Sequence, residues 1–312
     1  MAMNRGWVYR EQVDKKAAGQ TVLDYYVQRY HHSSTAEWQQ RIEAGQVTLN
    51  GGVIASETLL NGGQWLAYHR PPWDEPEVAL DIPILYEDED VWAVNKPSGL
   101  PVLPGAGFLE HTLLRQLQNR YPHENPVPIH RLGRGTSGLM LIARSPLARS
   151  SLSQQLRDRQ IRKVYRALVG DWNLGDRLTI TQPIGKIPHP TLGYVYGAAQ
   201  EGRIAHSECD VLERRADSTL SSTLLSVAIA TGRPHQIRIH LASVGFPLIG
   251  DPLYGVGGSL HPDVLQEKSD RVPVPGDCGY FLHAYQVAFR HPRTGKILEL
   301  ECQPPAILRC AR

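Results

Sequence analysis

Apolar and polar residues alternate with two different periods in the first part of the chain. Residues 21–30, TVLDYYVQRY, place three apolar side chains on one face of a predicted helix: Leu23, Val27 and Tyr30. Ser34 and Glu37 form a capping-box pattern that starts a second helix, and Gly45 is a suitable stop. QVTLNGGVI then has the pattern of strand, Asn-Gly turn and strand, and QWLAYH that of a further strand. Residues 21–68 are therefore predicted to form a small α+β unit.

A second, larger region begins at about Ile82, after a Pro-rich and acidic linker at 70–78. ILYEDEDVWAVNKP predicts two strands around an acidic turn, whereas residues 98–107 contain too many Pro and Gly for regular structure. Residues 250–279 are predicted to be a long mobile loop. Further elements are predicted as a helix at 110–121, a strand at 139–143, a helix capped by Ser145 with Pro146 at its first position, strands at 163–170 and 219–232, a helix from Pro234 to Gly245, and a C-terminal hairpin.

The order of these elements predicts the fold class. Helices and strands do not alternate strictly, which favours an α+β fold with a mixed, largely antiparallel sheet and flanking helices over a doubly wound parallel sheet. We expect two domains, a small N-terminal α+β module with its linker at 1–75 and a larger domain at 80–312.

Composition narrows the class of protein without naming a partner. Lys and Arg number 33 against 31 Asp and Glu, so any basic surface for nucleic acid has to be local. The four cysteines are far apart and lack metal-ligand spacing, which is typical of reduced thiols and predicts no metal site. No apolar run approaches the ~20 residues of a membrane span, and the first residues lack a secretory pattern. We expect a cytoplasmic protein without a membrane partner, and nothing demands more than a monomer.

The chain is locally basic between Arg144 and Arg166. Seven basic residues lie in this segment and only one acid, Asp158. Arg131 and Arg134 come just before it. A concentrated positive stripe releases counterions from phosphates, which is the sequence-independent part of nucleic-acid affinity, whereas a single basic helix is more often a solvated surface.

The loop in PIHRLGRGTSGLMLIARS, residues 128–145, allows a cofactor hypothesis. Gly133, Gly135 and Gly138 spell GxGxxG, and Asp158 follows twenty residues after the last glycine. The context argues against a dinucleotide site, because prolines interrupt the preceding residues and a predicted strand, not a helix, follows. A nucleotide-cofactor enzyme is therefore the weakest hypothesis, and we predict no cofactor.

Several segments resemble, in the same order, the motifs of the RluA-type RNA pseudouridine synthases. They are VNKPSGLPV (94–102), IHRLGRGTSGLMLIAR (129–144), RKVYRALVG (162–170), TGRPHQIRIHLASVGFPLIGDPLYG (231–255) and FLHAYQVAFRHPRTGK (281–296). Residues 21–68 resemble the S4-type RNA-binding module that often precedes this domain. The resemblance implies a pseudouridine synthase type of sheet and an RNA substrate, rRNA or tRNA, whose uridine is isomerised without cofactor or metal.

The resemblance also implies roles for individual residues. Tyr165 matches the family tyrosine that packs against the base, and Arg238 matches the basic partner of the catalytic aspartate. Arg131, Thr136 and Ser137 would shape the loop and meet the sugar-phosphate. The other predicted RNA-binding residues are Arg134, Lys163, Arg233 and His235.

The chain departs from the family pattern at the catalytic aspartate, whose position is Gly133. Gly135 replaces the second acid usual in that loop. Arg238 would then be left without its partner, and stranding one member of a buried pair typically costs about 3–5 kcal/mol. Three outcomes stay open: a non-catalytic RNA-binding relative that serves as an assembly or folding factor, a substitute acid with Asp251 as first candidate, or weak catalysis by positioning and the charge of Arg238.

Overall fold

The chain folds into two compact units, Met1–Glu75 and Pro76–Arg312. The structure is a computed structural model, and it describes residues 3–31, 33–216, 221–265 and 272–311.

The first unit contains two helices and a four-stranded antiparallel sheet in the order β1-β4-β2-β3. The predicted capping box is confirmed, because Ser34 and Glu37 bond to each other's backbone N–H groups. The strand before the helices was missed. The elements are β1 (Trp7–Gln12), a 3-10 helix (Lys15–Ala17), α1 (Val22–Arg29), α2 (Thr35–Glu43), β2 (Val47–Leu49), β3 (Gly52–Val53) and β4 (Trp65–Arg70).

Helix α1 buries a different face from the one that its aliphatic residues suggested. Val22, Tyr25 and Tyr26 are buried, whereas the predicted face of Leu23, Val27 and Tyr30 is only partly covered. The tyrosines are amphipathic: Tyr25 packs its ring inward while its hydroxyl donates to a Glu11 carboxylate oxygen at 3.0 Å.

The second unit is built on a large mixed sheet. Among the described residues its strand order is β10-β13-β14-β9-β15-β8-β6-β5, with β16 beside β15 and β7 beside β8. Among the strands that the structure describes, only β8 and β15 pair in parallel, so the predicted largely antiparallel sheet is confirmed. The elements are β5 (Ile84–Glu87), β6 (Val91–Lys96), α3 (Leu113–Arg120), β7 (Val127–Pro128), β8 (Ser137–Ala143), α4 (Pro146–Arg157), β9 (Arg162–Val169), β10 (Arg177–Ile180), β11 (Ile184–His189), β12 (Gly193–Ala198), β13 (Ser207–Arg215), β14 (Ser222–Ile229), α5 (Gln236–Ser243), α6 (Pro262–Leu265), β15 (Leu282–Arg290), β16 (Ile297–Glu301) and a 3-10 helix (Ala306–Leu308).

Both faces of the sheet are covered, which explains the continuous apolar runs of the central strands. In β6, Trp92 and Val94 join the larger core with α3 and α5, whereas Val91 and Ala93 join a second core under α4. A strand buried on both faces loses the apolar-polar alternation of a half-buried strand.

Part of the segment 250–279, which was predicted to be a long mobile loop, is packed into a core. Leu253, Tyr254 and Leu260 are buried in a core shared with the hairpin of β11 and β12, and α6 follows. Residues 266–271 lie outside the described residues, as do 219–220 of the predicted strand at 219–232, which the structure gives as β14. The buried aromatic and leucine side chains hold residues 253–260 in place despite the Gly and Pro residues around them.

Gly138 allows the parallel contact between β8 and β15, immediately after the glycine loop. Its φ is +108°, and an added Cβ would lie 2.3 Å from the Ala284 carbonyl oxygen. Two separate constraints, a left-handed backbone and a close backbone approach, therefore require glycine at this position.

Replacement of Gly138 by alanine tests this constraint. We expect Gly138→Ala to lower the free energy of unfolding by more than about 2 kcal/mol, because strain and a backbone clash add together. Gly170→Ala is the matched control, since an added Cβ there has no neighbour within 4 Å and its φ is not left-handed. Urea unfolding of both variants measures the difference, and equal midpoints would contradict the argument.

Candidate active site

A cleft of about 770 Å³ opens beside the glycine loop, and we call it the central cleft. Its walls come from four segments of the second unit, 101–104, 130–136, 156–165 and 229–238, together with Tyr280 and Leu282. Residues 156–165 run from the end of α4 into β9, and residues 229–238 join β14 to α5. Residues that are far apart in sequence thus face one space large enough for a nucleotide.

The glycine loop, which contains Gly133, Gly135 and Gly138, is held in position by hydrogen bonds that its backbone carbonyl groups accept. Ser98 Oγ donates to the Gly135 carbonyl at 2.7 Å, and the Gly99 N–H donates to the Arg134 carbonyl at 2.9 Å. Lys96 Nζ also donates to the Arg134 carbonyl, at 3.2 Å. Burial of this amine lowers the pKa of Lys96 to about 7. Thr136 N–H closes the turn on the Gly133 carbonyl at 3.0 Å. This support positions the loop whatever its side chains are.

Arg238 is not stranded, so the prediction of an unpaired guanidinium is wrong. Its Nε and Nη2 donate to the two carboxylate oxygens of Asp251, each at 2.7 Å, and both side chains are almost fully buried. Backbone N–H groups of Leu253 and Tyr254 donate to Asp251 as well. The GDPLYG turn places an anion directly behind Arg238, which neutralises it without any acid in the glycine loop.

Asp251, the first candidate for a substitute acid, is bonded to Arg238 behind the cleft. Both of its oxygens bond to protein groups, and Asp251 is not among the residues that line the central cleft. The geometry favours Asp251 as the ion-pair partner of Arg238.

Two tyrosines line the cleft together with Arg238. Tyr165 lies in β9, between β14 and β15, and its burial raises the pKa of its phenol. Tyr280, which the sequence analysis did not single out, packs its ring 4.2 Å from the Arg238 guanidinium. Its hydroxyl lies 3.3 Å from Thr136 Oγ1. The one sign of Tyr280 in the sequence was its position two residues before β15. An aromatic residue at such a position is usually only part of the core.

The structure brings most of the predicted basic residues to the cleft. Arg131, Arg134, Lys163, Arg233 and His235 line it, along with Gly133 and Thr136. Ser137 does not: its hydroxyl contacts His283 Nδ1 at 2.8 Å, away from the lining.

Some of these groups are partly engaged or uncharged. Arg134 contacts Asp277 at 3.6 Å, and the Arg233 Nε donates to the Ile204 carbonyl at 3.0 Å. Burial lowers the pKa of Lys163, and it lowers the pKa of His235 to about 3, so this imidazole is neutral at pH 7.

The basic stripe divides between two environments. Arg157 and Arg159 line the central cleft and were missing from the predicted site. Arg144 instead pairs with Glu124 and packs on Trp92, and Arg166 packs on the ring of Tyr285. The stripe is thus partly a structural feature, and only its residues near the end of α4 and the start of β9 reach the cleft.

The lining carries positive charge and no carboxylate. Arg131, Arg134, Arg157, Arg159, Lys163, Arg233 and Arg238 contribute to it, whereas no Asp or Glu does within the part of the chain that the structure describes. Such a surface attracts phosphates and offers no acid to the sugar of a bound nucleotide.

Cofactor sites find no support in the described residues. Gly133 and Gly135 precede strand β8, Gly138 lies within it, and Asp158 lies at the C-terminal end of α4, so this loop lacks the strand–glycine–helix arrangement of a dinucleotide site. No cluster of three or more His, Cys, Asp or Glu side chains able to hold a metal ion occurs among residues 3–31, 33–216, 221–265 and 272–311. None of the described helices has the length and apolar character that crossing a membrane requires.

Comparison with known proteins places the chain among its relatives. A family model described as RNA pseudouridylate synthase matches residues 90–243. The chain is 48% identical over 288 residues to an uncharacterized RNA pseudouridine synthase of Synechocystis, with 92% of this chain and 95% of that protein covered. It is 33% identical over 287 residues to the ribosomal large subunit pseudouridine synthase D of Vibrio parahaemolyticus, with 88% and 84% covered.

The fold agrees with these relatives. The solved structure of human RNA pseudouridylate synthase domain containing 1 superposes with a TM-score of 0.55 at 23% identity, covering 74% of this chain and 87% of that one. The α+β fold built on a mostly antiparallel sheet is therefore the pseudouridine synthase fold.

Replacement of Asp251 tests how much the ion pair with Arg238 contributes to stability. We expect Asp251→Asn to lower the free energy of unfolding by about 3–5 kcal/mol, because it leaves the Arg238 charge buried without an anion. Asp210→Asn is the matched control, because Asp210 pairs with Arg177 on the surface, where a pair contributes at most about 1 kcal/mol. Urea unfolding compares them, and a similar loss in both variants would show that the pair is not needed.

Proposed function

This chain belongs to the RluA-type family of RNA pseudouridine synthases, and we propose that it isomerises uridine to pseudouridine in ribosomal or transfer RNA. The observation that carries the proposal is the convergence of Tyr165, Arg238 and the glycine loop on one nucleotide-sized, basic cleft. The ribosomal assignment draws on the name of the Vibrio relative.

The reaction explains why such a cleft is needed. The N1–C1′ bond of uridine breaks, the base turns, and C5 joins C1′, so neither cofactor nor metal takes part. The uridine has to leave its stack and enter a pocket before any of this can happen. Tyr165 would pack against the extruded base, and the guanidinium of Arg238, held by Asp251, would supply a fixed positive charge near the sugar.

The basic side chains around the cleft would bind the flanking phosphates. Arg131, Arg157 and Arg159 are exposed at its rim, whereas Lys163 is buried deeper. Phosphate contacts of this kind hold RNA in register without reading its sequence.

The first unit would add a separate RNA-binding surface, as an S4-like module does. A groove of about 350 Å³ there is lined by Arg41, Tyr68, Arg70 and Trp73. The Arg41 guanidinium lies 4.7 Å from the Trp38 ring, and that of Arg70 lies 3.5 Å from the Trp73 ring. Aromatic rings interleaved with arginines suit unpaired bases and their phosphates.

A second candidate function rests on Gly133. A cleft without a carboxylate among its described lining residues also suits a non-catalytic RNA-binding relative that assists RNA folding or ribosome assembly. The substitute-acid hypothesis for Asp251 remains, but it would require the carboxylate to release Arg238. We also propose that the protein acts in the cytoplasm as a monomer, for which its four unpaired cysteines are suitable.

Release of tritium from RNA labelled at C5 of uridine tests catalysis, because that proton is lost only when C5 joins the sugar. We expect the wild-type protein to release tritium from unmodified ribosomal or transfer RNA transcripts. Tight RNA binding without release, combined with release by Gly133→Asp, would instead establish the non-catalytic function. Asp251→Ala that still folds and releases tritium at the wild-type rate would exclude a substitute acid.

The salt dependence of RNA binding tests whether the exposed arginines at the rim of the cleft contact phosphates. We expect Arg131→Gln and Arg159→Gln each to reduce the slope of log affinity against log salt by about 0.7, the value for one phosphate contact on single-stranded RNA. Arg177→Gln is the control, because Arg177 pairs with Asp210 outside the cleft. Fluorescence anisotropy titrations give the slopes, and an unchanged slope in both rim variants would place the RNA elsewhere.

A further inference from the structure

Tyr280 occupies the space in front of the two glycines that replace the acids of the loop. A Cβ added at Gly133 would lie 3.1 Å from the Tyr280 hydroxyl oxygen. A Cβ added at Gly135 would lie 2.9 Å from the Cε1 and Cζ atoms of the same ring. The phenol therefore stands where an acidic side chain at either position would have to go.

The backbone does not require glycine at these two positions. Neither Gly133 nor Gly135 has a left-handed φ, in contrast to Gly138 in the same loop. Their φ angles are accessible to other residues, so the ring of Tyr280 is what restricts the space for a side chain at these two positions. The two glycines and the tyrosine consequently form one packing unit.

The surroundings of the phenol are those of a reacting group. Tyr280 is 5% exposed and lines the central cleft. The guanidinium of Arg238 lies 4.2 Å from its ring centroid and cannot swing away, because Asp251 holds it on two sides. Burial raises the pKa of the phenol while the Arg238 charge opposes that rise, so the hydroxyl is protonated at neutral pH.

Building on the proposed function, we propose that Tyr280 is a catalytic residue whose hydroxyl oxygen replaces the missing carboxylate as the nucleophile at C1′ of the extruded uridine. Thr136 Oγ1 is the other oxygen near the Gly133 position, at 3.5 Å from an added Cβ. A phenol gives up its proton far more readily than an aliphatic hydroxyl, which favours Tyr280.

The reaction balances without any co-reactant. The phenol oxygen bonds to C1′ as the C1′–N1 bond breaks, and the phenol proton passes to N1 of the released uracil. After the base turns, C5 bonds to C1′ while the C1′–Oη bond breaks and its electron pair returns to the phenol oxygen. The proton on C5 then moves to this phenolate. One C–N bond is exchanged for one C–C bond, and Arg238 stabilises the transient phenolate charge.

Removal of the single oxygen is the decisive experiment. Tyr280→Phe keeps the ring over Gly135, so we expect unchanged RNA affinity and thermal stability but a loss of tritium release of about a thousandfold or more. Tyr121→Phe is the matched control, since Tyr121 packs on Trp92 away from the cleft, and it should keep the wild-type rate. Release by Tyr280→Phe within about tenfold of wild type would overturn the inference and leave the proposed function intact. An inactive Tyr280→Phe that has also lost RNA affinity would overturn it too, because the residue would then serve binding.

A double variant tests whether the phenol and a carboxylate serve the same atom. In Gly133→Asp/Tyr280→Phe the new side chain no longer meets the hydroxyl oxygen, so we expect release to recover by about tenfold or more over Tyr280→Phe. Absence of recovery would overturn the equivalence. A wild-type protein that releases no tritium from these transcripts would instead defeat the proposed function itself, and this outcome is distinct from the others.

Discussion

The buried ion pair between Arg238 and Asp251 is the interaction on which the rest of the site depends. A guanidinium in a core costs several kcal/mol to desolvate, and only a bidentate carboxylate with its own backbone donors offsets that cost. Because Arg238 is fixed in this way, the Tyr280 ring packs against it in a defined position. The glycine loop then needs no acid to neutralise the arginine. The pair thus supports the cleft from behind, with Arg238 in its lining and Asp251 outside it.

The charge distribution follows from this arrangement. Two carboxylates near the site are engaged with its cations, Asp251 with Arg238 and Asp277 with Arg134. The cleft itself presents cations to whatever enters it. A polyanion is attracted by such a surface, and a nucleotide swung into it would meet aromatic rings and fixed positive charge before it met any acid.

Parts of the fold and of the site were predictable from the sequence because they are local or follow an ordered set of motifs. The capping box at Ser34, the helix after Ser145 and the shared location of Tyr165 and Arg238 are of this kind. The pairing of Arg238 with Asp251 was not predictable, because it depends on how the turn at Asp251 packs against α5. Burial of 250–260 was missed because its Gly and Pro content predicts an open loop, whereas tertiary contacts of a few apolar side chains decide its structure.

A site that has lost its function and a site that has changed its function differ in their packing and charge. The glycine loop resembles a site that has changed its function. If the acids had simply been lost, the vacated volume would be empty or filled by water, and Arg238 would have no anion. Instead a tyrosine ring fills the space in front of both glycines, its hydroxyl faces the position of the missing carboxylate, and Asp251 neutralises the arginine. Packing, a polar oxygen and a counter-charge for Arg238 are thus all present around the loop, although the loop itself contains no acid.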